Sequence, residues 1–208
     1  MDKSNKTFKL AITGVLIALG TILSVIKLYQ LPFGGSVTAF SMLPLLMLGY
    51  MYGIRHGVLA GLVYGIVQLI LGIGGGAFAA QGAVYIILIG ALDYILAYTA
   101  VGMSGIFKKR IKNTATGFTL GALTAMIIRF CCHVLSGMLF FGSWAEWYFT
   151  QEGFPAWGAA ITEKFGGEML SFIYSVVYNG SFMLPEIIIT LIAGAIIANV
   201  KPIRKYLK

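Results

Sequence analysis

The stretch MIIRFCCHVLSG, Met126 to Gly137, lies within an apolar run that extends from Phe118 to Phe141. It places Arg129 and His133 one helical turn apart. A charge at the centre of a lipid bilayer is disfavoured by roughly 2.5–3.5 kcal/mol on insertion scales. Two ionisable residues on one face of such a run therefore indicate that both have a partner or a function.

Composition supports a membrane location for the whole chain. Of its 208 residues, 59% are hydrophobic and 11% are charged, and the mean hydropathy is +0.89. Soluble domains are close to half apolar and about a quarter charged. The sequence therefore predicts an all-α integral membrane protein. We expect residues 1–208 to form a single membrane domain, because no hydrophilic stretch is long enough for a second one.

A membrane-spanning helix needs about 20 mostly apolar residues, and six runs approach that requirement. They are Phe8–Leu28, Val37–Met51, Gly57–Ile73, Val84–Phe107, Thr116–Phe141 and Met169–Val200. Six transmembrane helices place both termini on one side of the membrane. That side would carry 12 basic residues, namely Lys3, Lys6, Lys9, Arg55, Lys108, Lys109, Arg110, Lys112, Lys201, Arg204, Lys205 and Lys208.

The opposite side would carry only 2 basic residues, Lys27 and Lys164. By the positive-inside rule both termini are cytoplasmic, and the protein is a multi-pass protein of a cell membrane. The net charge of +8 therefore reflects membrane orientation, and we expect no nucleic-acid partner.

The sequence lacks the motifs of several kinds of nucleotide-binding, metal-binding and catalytic sites. There is no GxxxxGK[ST] motif, so any nucleotide hydrolysis must occur on another chain. No HExxH motif is present, and the adjacent Cys131 and Cys132 suit neither an ordinary disulfide nor a tetrahedral metal site. We predict no metal, no cofactor and no catalytic residue. An intramembrane enzyme using His133 remains an alternative, as does a stand-alone carrier, although no internal repeat is seen.

Polar residues of three predicted helices fall at one depth. Asp93, His133 and Asn179 each lie about 12–18 Å below the outer end of their helix, at 1.5 Å per residue. Gly137 continues the face of Arg129 and His133 outwards and leaves room beside it. Three tyrosines surround the set: Tyr94, Tyr174 and Tyr178.

Two interpretations of this set remain open. Asp93 and Arg129 could form a buried ion pair that fixes helix register. Alternatively, the set lines an externally accessible chamber for a small organic cation, since a carboxylate with aromatic rings holds cations away from water. The long loop after the fifth span contains Trp144, Trp147 and Trp157, which form either an interfacial aromatic belt or a lid.

The sequence resembles the thiamine-specific substrate-binding (S) components of energy-coupling factor (ECF) transporters, the ThiT or YuaJ type. The resemblance covers most of the chain in order. It is carried by GGSVTAFSMLPLLML (Gly34–Leu48), RHGVLAGLVYGIVQ (Arg55–Gln68), LDYILAYTAVGMSGIF (Leu92–Phe107), RFCCHVLSGMLFFGS (Arg129–Ser143) and YSVVYN (Tyr174–Asn179).

The resemblance implies a six-helix bacterial membrane protein that binds thiamine from outside. It implies a partner module of one transmembrane subunit and two ATPases. It assigns Asp93 to the thiamine cation and His133 and Asn179 to hydrogen bonds. It places Tyr94, Phe141 and Tyr174 in the aromatic surroundings and Arg129 at the position of a family basic residue, and Gly137 completes the basic-xxx-His-xxx-Gly pattern. We add Tyr178, which lies beside Asn179, and Trp144 as a cover for the pocket. Another vitamin or a thiamine precursor is the alternative ligand.

Two further features follow from the resemblance. Gly35 and Ala39 stand where family members can carry an aromatic residue and an acid. Gly14 and Ala18 form a small-xxx-small pair in the first span, which allows close helix approach. S components resembling this chain use such a patch to dock the coupling subunit, whereas internal packing is the simpler explanation.

Overall fold

The structure, a computed structural model, describes residues 5–31, 34–75, 78 and 82–207. Lys3 and Lys208, two of the basic residues counted above, lie outside the described residues. The helices are α1 (Lys6–Val25), α2 (Leu43–Tyr52), α3 (Ile54–Gly74), α4 (Ala83–Ile89), α5 (Ala97–Val101), α6 (Thr114–Phe140), α7 (Ala145–Phe149), α8 (Trp157–Lys164), α9 (Gly167–Asn199) and α10 (Lys201–Leu207).

Five helical segments of the described chain are long and apolar enough to cross a membrane. They are α1, α3, the segment Ala83–Phe107 that contains α4 and α5, α6 and α9. The all-α membrane fold predicted from the sequence is confirmed. The short helices α7 and α8 lie in the loop between α6 and α9, where the sequence analysis placed no helix.

The segment Ala83–Phe107, here called the composite helix, changes its winding along its length. It is α-helical in α4, π-helical over Gly90–Leu96, α-helical again in α5 and 3₁₀-helical over Gly102–Phe107. A π-helical turn accommodates an extra residue and is often found at functional sites. Asp93 lies within this π-helical turn.

The second predicted span, Val37–Met51, differs most from the structure. Ser36–Thr38 forms strand β2, which pairs antiparallel with β1 (Lys27–Gln30). After β2 the backbone of Phe40 adopts a left-handed φ of 59°, and only Leu43–Tyr52 is helical. These 10 residues extend about 15 Å, half of the hydrocarbon core. The same strand pairing ends the first helix at Val25 rather than Leu28.

A row of glycines brings α3 against the composite helix. Gly57, Gly61 and Gly65 repeat every four residues and share one face of α3. A Cβ on any of them would collide with a backbone carbonyl oxygen of the composite helix. The carbonyls concerned belong to Gly102, Tyr98 and Tyr94 respectively. Small residues allow helix backbones in membranes to approach closely, so this row sets the position of the composite helix.

Two clusters of buried apolar side chains form the core. One joins α2, α3, α6, α9 and α10 at the end of the bundle that carries the chain's described termini. The other, the hairpin-side core, lies beneath the β1–β2 hairpin and α7. It contains Val37, Ala145, Phe149, Leu170, Tyr174, Tyr178, Phe182 and Met183. The pair α6–α9 connects the two clusters and forms the most extensive helix contact of the bundle.

We expect Gly61→Ala to destabilise the fold, because the added methyl group meets the Tyr98 carbonyl. Overpacking of this kind costs about 1–3 kcal/mol, which corresponds to a fall of about 3–10 °C in Tm. Thermal unfolding of the detergent-solubilised protein measures the change. Gly74→Ala is the matched control in the same helix, because no atom of the described residues beyond its own helical turn lies within 4 Å of its added Cβ. Equal Tm values for the two variants would contradict the packing described here.

Candidate ligand-binding site

The Asp93 carboxylate is held by two side chains of α6. Its Oδ1 lies 2.8 Å from Nδ1 of His133, and its Oδ2 accepts a hydrogen bond of 2.7 Å from the Ser136 hydroxyl. Asp93 is 18% exposed and His133 12% exposed. The π-helical turn therefore presents its acid to the neighbouring helix and away from lipid.

Asn179 joins α9 to the same place. Its Nδ2 donates to the backbone carbonyl of His133 at 3.2 Å, and the Ser175 hydroxyl donates to the carbonyl of Val134 at 2.7 Å. The composite helix thus contacts α6 through the Asp93 and His133 side chains, and α9 contacts α6 through its backbone carbonyls at His133 and Val134. His133 therefore contacts both Asp93 and Asn179, and their common depth stays a prediction.

The second nitrogen of His133 is available for a ligand. A carboxylate only accepts hydrogen bonds, so Nδ1 carries the proton that it shares with Asp93. In the neutral imidazole Nε2 is then an acceptor. That atom is buried and has no hydrogen-bond partner among the residues that the structure describes. Buried polar atoms in folded proteins are almost always paired, so this unpaired nitrogen, which lies beside Asp93, is a candidate position for a ligand donor.

Aromatic rings border the site on its hairpin side. The ring of Tyr148 in α7 lies 5.2 Å from that of Tyr174 and 5.9 Å from that of Tyr178. The Phe182 ring lies 5.9 Å from Tyr178 and 6.4 Å from the imidazole of His133. Burial, with a smaller effect of Tyr29, raises the pKa of the Tyr148 phenol, which therefore stays neutral at physiological pH. These uncharged ring faces can attract a cation.

Arg129 does not form the alternative ion pair with Asp93. Its guanidinium lies over the ring of Tyr98, 5.0 Å from the ring centre, and the residue is 8% exposed. Asp93 pairs with His133 instead. Arg129 and His133 are one turn apart, yet their side chains contact different neighbours.

Tyr94 also faces another part of the bundle. Its phenol lies against Gly72 of α3, and its ring is 5.7 Å from that of Phe78. The π-helical turn directs Asp93 towards α6 and the adjacent Tyr94 towards α3. The structure therefore does not bring Tyr94 to the Asp93–His133 pair.

Of the predicted residues nearer the loop, Phe141 and Trp144 differ in environment. Phe141 packs against the hairpin-side core, beside the aromatic border of the site. Trp144 is 43% exposed, and its ring contacts that of Trp147 at 5.7 Å. Trp144 is thus a partly exposed aromatic residue beside Trp147, and it is not part of the hairpin-side core.

The sequence predicted open space beside Gly137, but the structure shows that another helix packs against it. A Cβ at this position would collide with the Ser175 hydroxyl and lie 3.1 Å from Nδ2 of Asn179. The space beside Gly137 is therefore occupied by α9. Gly137 allows α9 to approach α6 closely enough for Asn179 to reach the His133 carbonyl.

Several residues of the site were missed in the sequence analysis. Ser136 lies three residues after His133, and Ser175 lies four residues before Asn179, so helical spacing could have identified both. Phe182 follows Tyr178 by one turn and could have been found in the same way. Tyr148 gives no such signal, because its position depends on the path of the loop.

Two familiar catalytic centres, a Ser–His–Asp triad and a metal site, are not formed by the described residues around Asp93. The Ser136 hydroxyl donates to Asp93 and not to the imidazole, so it does not form the serine–histidine contact of a Ser–His–Asp triad. Within the described ranges no group of three or more His, Cys, Asp or Glu side chains could hold a metal ion. A carboxylate, an imidazole acceptor and aromatic rings suit binding of an organic cation.

A separate groove of about 580 Å³ lies between the end of α6 and the start of α9. Ser143, Glu146, Glu168 and Ser171 contribute its polar lining. None of the residues predicted from the sequence to bind a ligand lines this groove. It opens beside the loop and is distinct from the Asp93–His133 pair.

Comparison with known proteins identifies the family of the chain. The family described as thiamine transporter protein (Thia_YuaJ) matches residues 10–157, which contain Asp93, Arg129 and His133. The chain belongs to this family. It is therefore a multi-pass protein of the bacterial cell membrane.

Individual members of the thiamine transporter family resemble the chain along most of its length. It is 29% identical to the thiamine transporter ThiT of Bacillus subtilis over 97% of this chain and 96% of that protein. It is 27% identical to ThiT of Lacticaseibacillus paracasei, over 78% and 73% of the two chains. A solved structure of ThiT from Listeria monocytogenes matches with a TM-score of 0.65 at 22% identity, covering 97% of this chain and 98% of that one. This last match shows a common fold.

We expect Gly137→Ala to separate α6 from α9 and to weaken the hydrogen bonds of Ser175 and Asn179. The predicted fall in Tm is about 3–10 °C, measured by thermal unfolding. Gly180→Ala in α9 is the control, because its added Cβ has no atom within 4 Å. Adding Ser175→Ala to Gly137→Ala should recover part of the loss by removing the colliding hydroxyl. If the double variant is less stable than Gly137→Ala alone, the collision is not the cause.

Proposed function

We propose that this protein binds thiamine from the external side of the membrane as the S component of an ECF-type importer. The observation that carries this proposal is the meeting of Asp93, His133 and Asn179, with a buried imidazole nitrogen left unpaired within the described residues. Membership of the thiamine transporter family supports the choice of ligand.

The chemistry of thiamine matches the groups present. Its thiazolium nitrogen is quaternary and carries a positive charge at physiological pH, so a dehydrated site must supply a counter-charge. The negatively charged Asp93 carboxylate provides this counter-charge. Its two oxygens offer about four acceptor positions, of which the contacts with His133 and Ser136 use two. The amino group of the pyrimidine ring can donate to Nε2 of His133. The rings of Tyr148, Tyr174, Tyr178 and Phe182 supply stacking and cation–π attraction.

The distribution of charge supports binding from outside. The start of α1, the turn before α3 and the loop after the composite helix lie at one end of the bundle. Thr13 contacts His56 there at 2.8 Å, and Lys108 donates to the Met51 carbonyl at 2.8 Å. This end carries most of the basic residues and is the cytoplasmic one by the positive-inside rule. The β1–β2 hairpin and the aromatic border of the site then face outwards.

Energy coupling would come from partner chains. The sequence has no nucleotide-binding motif, which supports a requirement for separate ATPases. Gly14 and Ala18 lie exposed on α1, and no atom lies within 4 Å of a Cβ placed on Gly14. Their exposure argues against the internal-packing explanation and favours α1 as the docking helix for the transmembrane coupling subunit.

We expect the purified protein to bind thiamine saturably below micromolar concentration, with quenching of tryptophan or tyrosine fluorescence. Asp93→Asn should raise the Kd about 100-fold, or about 2.7 kcal/mol, because a dehydrated cation loses its counter-charge. Glu168→Gln removes an exposed carboxylate near the same end and should leave the Kd within twofold.

Isothermal titration with thiamine, its pyrimidine precursor and riboflavin tests the specificity. A neutral ligand that binds more tightly than thiamine, and that is unaffected by Asp93→Asn, would contradict the proposed function. Absence of any saturable thiamine binding would contradict it as well.

We expect Gly14→Leu and Ala18→Leu to reduce ATP-dependent uptake at least tenfold in liposomes that contain the coupling module. Bulky side chains on this face prevent close approach of a partner helix, whereas thiamine binding should keep its Kd within twofold. Val15→Leu, an exposed position on an adjacent face of α1, is the control. Normal uptake by both Gly14→Leu and Ala18→Leu would exclude this face as the docking surface.

A further inference from the structure

Five exposed basic side chains lie at the end of the bundle where the composite helix and α9 finish. Three belong to the loop before α6, and two belong to α10 near the other end of the sequence. These residues, here called the basic end surface, are Lys109, Arg110, Lys112, Lys201 and Arg204. The helix α10 contacts α2, α6 and α9, so the structure brings its charges beside those of the loop.

The loop before α6 is held in a fixed shape. The backbone N–H groups of Arg110 and Ile111 both donate to the Phe107 carbonyl at 3.0 Å, which folds the loop into a tight turn. The Asn113 side chain then caps α6 by accepting a hydrogen bond of 3.1 Å from the Thr116 backbone N–H. The basic side chains of the loop are therefore presented from an ordered backbone.

The short helix α10 has one apolar side and one charged side. Ile203 and Leu207 are one helical turn apart, and Leu207 is fully buried in the apolar cluster that also contains residues of α2 and α6. Lys201 and Arg204 are exposed. The apolar side of α10 thus fixes the helix to the bundle and leaves its charges outside.

Within the described residues, no acidic side chain at this end of the bundle neutralises the basic end surface. Asp93 pairs with His133, and Glu186 accepts hydrogen bonds from Thr38 of the hairpin. Asp2 lies outside the described residues. The other acidic residues of the chain lie at the opposite end, between α6 and the first turn of α9: Glu146, Glu152, Glu163 and Glu168. Anions that balance the basic end surface therefore come from outside the chain.

An exposed apolar stripe of α9 ends at the basic end surface. Its members recur every four residues, and each is between 42% and 63% exposed: Leu184, Ile188, Ile192, Ile196 and Val200. Because α9 is long and apolar enough to cross a membrane, this stripe faces the acyl chains of lipids. The Arg204 backbone N–H donates to the Val200 carbonyl at 2.8 Å, so the basic residues begin where the apolar stripe stops.

We propose that the basic end surface binds the headgroups of anionic phospholipids whose acyl chains lie along this stripe. Lys and Arg hold phosphate oxygens by charge-assisted hydrogen bonds, and a cluster of about four to eight of them beside a spanning helix is typical of anionic-lipid recognition. A phospholipid uses both features, since it joins an anion to an apolar chain. A nucleic acid or a soluble phosphate would use the charges alone. A bound lipid would join the loop to α10 at the membrane surface.

This inference concerns lipid and not the transported ligand, so its test uses no thiamine. The purified protein in a neutral detergent is titrated with dioleoyl phosphatidylglycerol or dioleoyl phosphatidylcholine, and native mass spectrometry measures the occupancy of bound lipid. We expect an apparent Kd for phosphatidylglycerol at least tenfold lower than that for phosphatidylcholine. Dihexanoyl phosphatidylglycerol should bind at least tenfold more weakly than the dioleoyl lipid, because its short chains bury less apolar surface along the stripe.

Two double variants each remove two charges from the basic end surface. Lys109→Gln/Lys112→Gln and Lys201→Gln/Arg204→Gln should each weaken binding of phosphatidylglycerol at least tenfold, since each basic residue near a membrane surface contributes about fivefold. Binding of phosphatidylcholine should stay within twofold. The exchange Lys201→Arg/Arg204→Lys preserves the charge and should keep the Kd for phosphatidylglycerol within twofold.

The matched control is Lys27→Gln/Lys164→Gln, which removes two exposed charges at the opposite end of the bundle. It should keep the Kd for phosphatidylglycerol within twofold. A loss as large as that of the surface variants would assign the effect to net charge and would overturn the proposal.

Equal apparent Kd values for the two dioleoyl lipids would also overturn it, and this comparison on the unaltered protein decides the proposal even if a variant fails to fold. Inorganic pyrophosphate tests the other source of phosphate oxygens. If pyrophosphate at the concentration of the lipid displaces phosphatidylglycerol, the surface is a site for soluble phosphates and the lipid proposal fails. Retention of the lipid, together with the tenfold preference, supports it.

Discussion

A carboxylate inside a membrane-spanning helix has to be paired, and the packing around the site follows from how Asp93 meets this requirement. The π-helical turn directs its side chain to His133 and Ser136 of α6. For α9 to complete the site it must approach α6 closely, which a glycine at position 137 permits. The imidazole is thereby oriented with one nitrogen on Asp93, and its other nitrogen has no partner among the described residues. Charge pairing and the close approach of the helices are in this way consequences of one buried acid.

Polar backbone groups of the β1–β2 hairpin also have to find hydrogen-bond partners, as the Asp93 carboxylate does. Non-helical backbone is tolerated at membrane depth only where protein covers it or where it lines an aqueous cavity. Here the Thr38 N–H is satisfied by Glu186 and the Gly35 N–H by Tyr178, both from α9. Those side chains take the place of the helical hydrogen bonds that the chain between β1 and α2 lacks. The glycine at position 35 is required by close contact with Phe182, which explains why an aromatic residue is not accommodated there.

Apolar length predicted five of the six spans to within about three residues at each end, because a helix in lipid must satisfy its own backbone over about 20 residues. The same rule failed for Val37–Met51, where the hydrogen bonds come from a paired strand and from Glu186, 148 residues away in sequence. Counting residues from helix ends placed Asp93, His133 and Asn179 at one level, since the rise per residue is constant. Residue counting did not predict the direction in which each side chain points. Arg129 points to the ring of Tyr98, and Tyr94 points to Gly72.

The amino-acid sequence by itself determined the membrane location, the approximate helices, the charge asymmetry and the polar residues that had to find partners. These properties depend on composition and on the fixed geometry of a single helix. Only the tertiary structure decided which partner each polar residue takes, where the winding becomes π-helical and which segment covers the site. Those outcomes depend on the distances between helices, and glycines, hairpin contacts and buried hydrogen bonds from distant parts of the chain set those distances together.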